Sequence, residues 1–190
     1  MQMQDTTGEK HILVALVENK PGVLNRVASL FRRRNFNIDS LTVGRTAKPH
    51  VSRMTIVVDG RLANANLIAA NLRKLVNVIE VRIVSDHPNV SRDLALIKVR
   101  AADSDTRNAI TLACERFPAR IVDIGPEVAI IEIAAQEEIV EELIETLRSI
   151  GILEMVRTGV VAMGRGERIQ DTQYEPVVPP PNGNGKRFSV

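Results

Sequence analysis

The chain has 190 residues, of which 44% are hydrophobic and 25% charged, so it can build the core of one or two folded domains. An aromatic content of 3%, with no tryptophan, argues against sugar-binding or base-stacking surfaces, since both depend on flat aromatic faces. The formal net charge is only +2, and the single cysteine excludes an intrachain disulfide and a cysteine-based zinc site.

Hydropathy along the chain bears on the location of the protein, and the distribution of charge bears on its modules. The apolar runs are shorter than the ~20 residues of a membrane span, and the polar N-terminus, MQMQDTTGEK, lacks the apolar stretch of a signal peptide. We therefore expect a cytoplasmic protein without a membrane span. Basic residues predominate in 1–90 and acidic residues in 91–164, which indicates either two modules with different partners or simply a solvated acidic helix around Glu137–Glu145.

The first half of the chain predicts six elements. A β-branched run, HILVALVE, indicates a buried strand, and an apolar stripe that includes Val27, Leu30 and Phe31 indicates the helix after it. Asn19 is the predicted N-cap of this helix, and Pro21 suits its first turn. In chain order the predicted elements are strand 11–18, helix 23–34, strand 36–44, strand 53–58, helix 62–75 and strand 78–84.

The same order of elements recurs in the second half. Order and period match between the halves better than residue identities do. In chain order the predicted elements are strand 94–99, helix 104–117, strand 121–124, strand 128–134, helix 137–150 and strand 156–163.

The repeated order predicts an α+β protein built from two ferredoxin-like βαββαβ modules. One sheet face and at least one edge of each module remain to be covered, so we expect oligomerisation. The proline- and glycine-rich C-terminus cannot build a core and predicts a disordered tail. The predicted divisions are a flexible N-terminus 1–9, a first module 10–86, a linker 87–93, a second module 94–164 and the tail 165–190.

The most informative local feature is the strand-to-helix turn ENKPGVL, residues 18–24. The first amides of a helix have no acceptor inside the helix, so the N–H groups of Gly22, Val23 and Leu24 form a predicted cradle for one carboxylate. The positive end of the helix dipole supports the same charge. Gly22 lets a ligand approach the backbone closely, because it has no Cβ.

Side chains near this turn indicate the class of ligand. Asn19 and Asn37 carry amides that can hold an ammonium group or a second carboxylate oxygen. Val23, Leu24 and Ile38 supply an apolar wall. An α-amino acid with a small aliphatic side chain meets these requirements, whereas the alternative is a capped helix that binds nothing.

Motifs in both halves resemble one known family. ENKPGVLNRVASLF, RNFNIDSLTVG and SRMTI are similar to the N-terminal half of the small, regulatory subunit of acetolactate synthase (acetohydroxyacid synthase). ALIKV, RIVDIGPE, AIIEI and VRTGVVAMGRG resemble later parts of that family, so the resemblance covers about residues 8–166. It implies an N-terminal ACT domain, which has the βαββαβ order, and a C-terminal domain of similar order.

The resemblance also implies a role without chemistry of its own. Such a chain binds a separate catalytic subunit, raises its activity and imposes feedback inhibition by valine or another branched-chain amino acid. Thiamine diphosphate, Mg and FAD are then expected on the catalytic subunit, and no cofactor on this chain.

The resemblance places the effector site between two ACT domains of a homodimer. The residues implied are Asn19, Gly22, Val23 and Leu24 of one chain, with Asn37 and Ile38 of the other. The loop at 46–52 is implied to face the catalytic subunit, and the contact residues expected there are Ala47, Lys48, Pro49 and His50.

The other candidate residues favour structural roles. His11, His50 and His87 lack the spacing of metal ligands, and Cys114 sits at core spacing in a predicted helix, as a buried thiol would. No nucleophile elbow or phosphate-loop fingerprint is present, so no catalytic residue is expected. The basic run Arg32–Arg34 is short and lacks aromatic neighbours, so we expect no nucleic acid partner. The competing hypothesis is a free-standing ACT-type sensor that controls transcription or RNA.

Overall fold

The structure is a computed structural model, and it describes residues 10–61 and 64–166. The predicted flexible segment 1–9 and residues 167–190 of the predicted tail lie outside the described residues. No helix in the described ranges is both long enough and apolar enough to cross a membrane.

The first module is an antiparallel sheet with two helices on one face. The sheet order is β2-β3-β1-β4. Its elements are β1 (Lys10–Glu18), α1 (Val23–Arg34), β2 (Ser40–Arg45), β3 (Val51–Asp59), α2 (Ala65–Leu72) and β4 (Val78–Ile83).

The core of this module follows from two periodicities. Alternate residues of β1, which are Leu13, Ala15 and Val17, face the helices because successive strand side chains point to opposite sides. Residues three and four apart on α1 return to the same side, so Val27 and Phe31 meet that strand face. Burial of each leucine, valine or phenylalanine in this set stabilises the fold by about 1.5–3 kcal/mol.

The second module repeats this arrangement and adds a strand. Its sheet order is β6-β7-β5-β8, and β9 pairs with the first part of β5 away from that sheet. Its elements are β5 (Asn89–Arg100), α3 (Ser104–Arg116), β6 (Ala119–Ile124), β7 (Val128–Ala135), α4 (Glu137–Arg148), β8 (Ile152–Arg157) and β9 (Val161–Gly164). The predicted fold of two βαββαβ modules is confirmed.

The observed strands depart from the predicted segments most clearly at three places. The predicted strand 156–163 is two strands, because Gly159 has a φ of +78° that ends β8 before β9 begins. The predicted linker 87–93 lies mostly in β5, which starts at Asn89 to pair with β9. The predicted strand from Phe36 begins only at Ser40, since Asn35 (φ +54°) turns the chain and Phe36 packs edge-to-face on Phe31, with ring centroids 6.0 Å apart.

The two modules meet through a two-stranded ribbon, defined here as β9 and the paired residues of β5, Asn89–Arg92. Ala162 in the ribbon packs on Val14 and Val84, on the face of the first sheet opposite the helices. Arg53 donates from Nη2 to the carbonyl of Ala162 at 2.6 Å. The ribbon therefore covers part of the first sheet's second face, which the two helices of that module do not cover.

Candidate functional site

The turn after β1 is tied to two other parts of the first module. The Glu18 N–H donates to the carbonyl of Asn77 at 2.9 Å, next to the start of β4. The Asn19 N–H donates to the carbonyl of His50 at 2.8 Å, in the β2–β3 loop. The backbone that leads into α1 is thus fixed on both sides.

Gly22, rather than Asn19, is the N-cap of α1, so the predicted cap is wrong. Gly22 has a φ of +83°, in the left-handed region that residues with a Cβ rarely adopt. Its carbonyl accepts from the Arg26 N–H at 3.0 Å, and no side chain caps the helix. Asn19 lies three residues before this cap, and its Nδ2 donates to the carbonyl of Pro49 at 3.0 Å. Pro21 lies just before the helix rather than in its first turn.

Two of the three predicted amide donors have no acceptor among residues 10–61 and 64–166. These are the N–H groups of Gly22 and Leu24, whereas the Val23 N–H donates to the carbonyl of Lys20 over a long 3.4 Å. No acidic residue lies in the first turn of α1. The helix therefore presents two open donors and the positive end of its dipole at one point.

The predicted apolar wall is only partly present. Val23 is 4% exposed and packs into the core of the first module, so it offers a ligand its backbone but not its side chain. Leu24 is 47% exposed beside the open amides. Ile38 is half-buried against the same core. An aliphatic ligand group near the turn would therefore meet Leu24 first.

Asn37 is exposed on the segment between α1 and β2. Its Nδ2 lies 3.5 Å from Oδ1 of Asp39, which is a marginal hydrogen bond. The side chain is therefore available to a ligand or to another chain. Its approach to Gly22 of a second copy stays a prediction.

The sequence did not predict a network of charged and polar side chains at the base of the turn. Asn77 donates from Nδ2 to Glu18 at 2.5 Å and accepts from Arg26 Nη1 at 2.8 Å. The hydrogen bonds from Asn77 and then Lys20 lower the pKa of Glu18, so this carboxylate stays ionised. No motif signals the network, because Asn77 is far from the turn in the sequence.

The β2–β3 loop contains the predicted contact residues Ala47, Lys48, Pro49 and His50. Thr46 shapes this loop: its Oγ1 accepts from the Lys48 N–H at 3.1 Å and donates towards the carbonyls of Lys48 and Val51 at 3.1 and 3.0 Å. Pro49 and His50 are exposed, and their carbonyls are the acceptors of Asn19. The turn and the loop, separate in the sequence, form one hydrogen-bonded surface.

Sequence models of known families match both halves of the chain. A model described as an AHAS small subunit-like ACT domain matches residues 13–80. A model described as the small subunit of acetolactate synthase matches residues 92–166.

Individual relatives match across both modules together. An acetolactate synthase small subunit from Mycolicibacterium smegmatis is 48% identical over 158 residues, which is 83% of this chain and 92% of the relative. A probable acetolactate synthase small subunit from Methanothermobacter thermautotrophicus is 42% identical over 160 residues, covering 84% of this chain and 95% of the relative. The chain belongs to the acetolactate synthase small-subunit family.

A solved structure of the same family agrees with the fold. The crystal structure of the acetolactate synthase small subunit from Thermotoga maritima superposes with a TM-score of 0.74 at 41% sequence identity. The match covers 84% of this chain and 99% of that chain. Both modules therefore belong to the small-subunit architecture, and the turn, Asn37 and the β2–β3 loop all lie inside the ACT match.

The remaining candidates from the sequence are possible metal ligands and the cysteine. No group of three or more His, Cys, Asp or Glu side chains that could hold a metal occurs in the part of the chain that the structure describes. Cys114 packs against the core of the second module, and burial raises the pKa of its thiol. Such a thiol is a weaker nucleophile at neutral pH.

Proposed function

We propose that this chain is the regulatory subunit of acetolactate synthase, raising the activity of a separate catalytic subunit and making it sensitive to a branched-chain amino acid, chiefly valine. It works in the cytoplasm as a homodimer paired through its ACT domains. The catalytic subunit carries thiamine diphosphate, Mg and FAD. Family membership supports the pairing with a catalytic subunit.

The effector binds at the start of α1. The N–H groups of Gly22 and Leu24 donate to its carboxylate, where the helix dipole favours negative charge. Asn19 Oδ1 accepts from its ammonium group, since the Nδ2 of the same side chain is held by Pro49. The aliphatic side chain packs on Leu24, and Asn37 and Ile38 of a second copy close the site.

The observation that carries the proposal is the bond between the turn and the β2–β3 loop. Asn19 donates to the carbonyls of both His50 and Pro49, so a ligand that repositions Asn19 also moves the loop. Inhibition requires only that the effector bind two states of the holoenzyme unequally, with a coupling free energy of about 1–3 kcal/mol. A ligand of this size binds with micromolar to millimolar affinity, about −8 to −4 kcal/mol, which suits sensing of a metabolite pool.

Gly22→Asp tests the site. The new carboxylate repels that of valine at the open amides, so we expect calorimetry to show lost binding and the holoenzyme to lose feedback while activation persists. Gly22→Asn is the matched control, since it has nearly the same size and tolerates a positive φ without the charge; it should retain more of the binding. Normal valine binding by Gly22→Asp would place the effector elsewhere.

A pull-down with the full chain separates this proposal from a free-standing sensor of transcription or RNA. We expect the catalytic subunit to co-purify and the activity of that subunit to rise. Recovery of nucleic acid in its place would support the sensor.

A further inference from the structure

A groove of about 380 Å³ lies where the ribbon crosses the first sheet, away from the turn before α1. Its floor is the outer face of β2 and β3, and its wall is the ribbon. Thr42 and Thr55 line the floor of the groove, and Val90, Val161 and Met163 line its wall. A volume of this size is typical of small-molecule sites.

The wall of the groove is apolar and open. Val90, Val161 and Met163 are 39%, 44% and 59% exposed and share one face of the ribbon, because Val90 pairs with Met163 and Arg92 with Val161. A ligand that covers this surface removes apolar area from water, which favours binding. The wall therefore favours an aliphatic body.

The rim of the groove is cationic. Arg45, Arg53 and Arg92 line it, and no acidic residue among those that the structure describes does so. Arg45 and Arg92 are exposed and form no ion pair with any residue in 10–61 or 64–166. A guanidinium binds a carboxylate with two parallel hydrogen bonds, whereas nothing in this lining can receive an ammonium group as an ion pair.

We propose that this groove binds a short aliphatic carboxylate that carries no amino group. The carboxylate lies between Arg45 and Arg92, and the aliphatic body covers Val161 and Met163. Because β2 belongs to the first module and the ribbon to the second, the ligand contacts both modules. Its chemistry differs from that of the effector site, where Asn19 offers an oxygen to an ammonium group.

Three probes with one carbon skeleton test the assignment: 4-methylpentanoate, leucine and 4-methylpentanamide. The measurement is calorimetry on the full chain carrying Gly22→Asp, so that the site before α1 does not contribute. We expect 4-methylpentanoate to bind at least about tenfold more tightly than leucine, which adds an ammonium group, and than the amide, which lacks the charge. Equal binding of all three, or no binding of 4-methylpentanoate, overturns the proposal.

The double substitution Arg45→Gln and Arg92→Gln locates the site. Both side chains are exposed, so the fold persists by circular dichroism, and the dissociation constant of 4-methylpentanoate should rise about tenfold or more. Arg148→Gln, on the surface of α4 and paired with Glu145, is the control and leaves binding unchanged. Unchanged binding in the double variant refutes the groove, and this result does not depend on valine binding or on the catalytic subunit.

Discussion

At the scale of single residues, Asp93 is a buried charge whose stability depends on one partner. It is 1% exposed at the start of the buried part of β5, and Arg157 on β8 donates to it from Nε at 2.7 Å and Nη2 at 2.5 Å. Arg157 also pairs with Glu141 on α4. A buried carboxylate is tolerated only while its partner is present, because desolvation of an unpaired charge costs several kcal/mol.

Replacement of Arg157 by methionine should therefore destabilise the chain by about 3–5 kcal/mol, since Asp93 would be left buried and unpaired. Urea unfolding followed by circular dichroism measures the change. Glu141→Gln removes only the exposed partner and should cost less than about 1 kcal/mol. Similar losses in the two variants would show that the buried pair is not the source of stability.

At the scale of elements, one hydroxyl adds side-chain hydrogen bonds to the backbone bonds that shape the β2–β3 loop. Thr46 Oγ1 bonds to the backbone of Lys48 and Val51, so the exposed residues between them are held in a fixed turn. Asn19 then connects this turn to the start of α1. The loop can therefore present an ordered surface to a partner.

Thr46→Val keeps the size of the side chain but removes its hydrogen bonds, each worth about 0.5–1.5 kcal/mol. We expect half-maximal activation of the catalytic subunit to require about threefold more of this chain, or a larger excess. The reason is that a more mobile loop loses more conformational entropy on binding. Thr46→Ser retains the hydroxyl and should behave as the parent chain. If Thr46→Val activates at the parent concentration, the loop does not contact the catalytic subunit.

At the scale of the whole molecule, the turn between β8 and β9 adds a contact between the two modules beside that of the ribbon. Gly159, between β8 and β9, approaches β2 so closely that a Cβ would lie 3.0 Å from the Cβ of Ser40. Beside it, Thr42 donates from Oγ1 to the carbonyl of Thr158 at 3.0 Å. Lys10 adds an ion pair to Glu137 on α4 at 2.8 Å. The contacts between the modules thus include β2, the strand that leads into the β2–β3 loop.

Gly159→Ala should separate this contact, because the new Cβ meets Ser40 and also strains a φ of +78°. Calorimetry should show a lower melting temperature and two unfolding transitions instead of one. Gly166→Ala is the control: its φ is +95°, but no atom of residues 10–61 or 64–166 lies within 4 Å of a Cβ placed there, so it adds backbone strain without the collision. Equal effects of the two substitutions would exclude the contact with Ser40 as the cause.

Much of the candidate site could be predicted from the sequence, because its parts are local. Unpaired amides follow from any helix start, and Gly22 stands where the backbone turns left-handed just before α1. The burial of Val23 could not be predicted, since its direction depends on how α1 lies on the sheet. The bond of Asn19 to Pro49 joins residues 30 apart, so no local pattern reveals it.

The sequence by itself determined the two βαββαβ modules, since the periods of strands and helices are properties of neighbouring residues. Only the tertiary structure decided what covers the outer face of the first sheet. The sequence predicted that a sheet face and at least one edge need cover and that the chain therefore oligomerises, which stays a prediction; Ala162 of the same chain packs on Val14 and Val84 and covers part of that face. That packing depends on the φ of Gly159 and on contacts more than 100 residues apart in the sequence, such as Arg53 with Ala162, which periodicity does not encode.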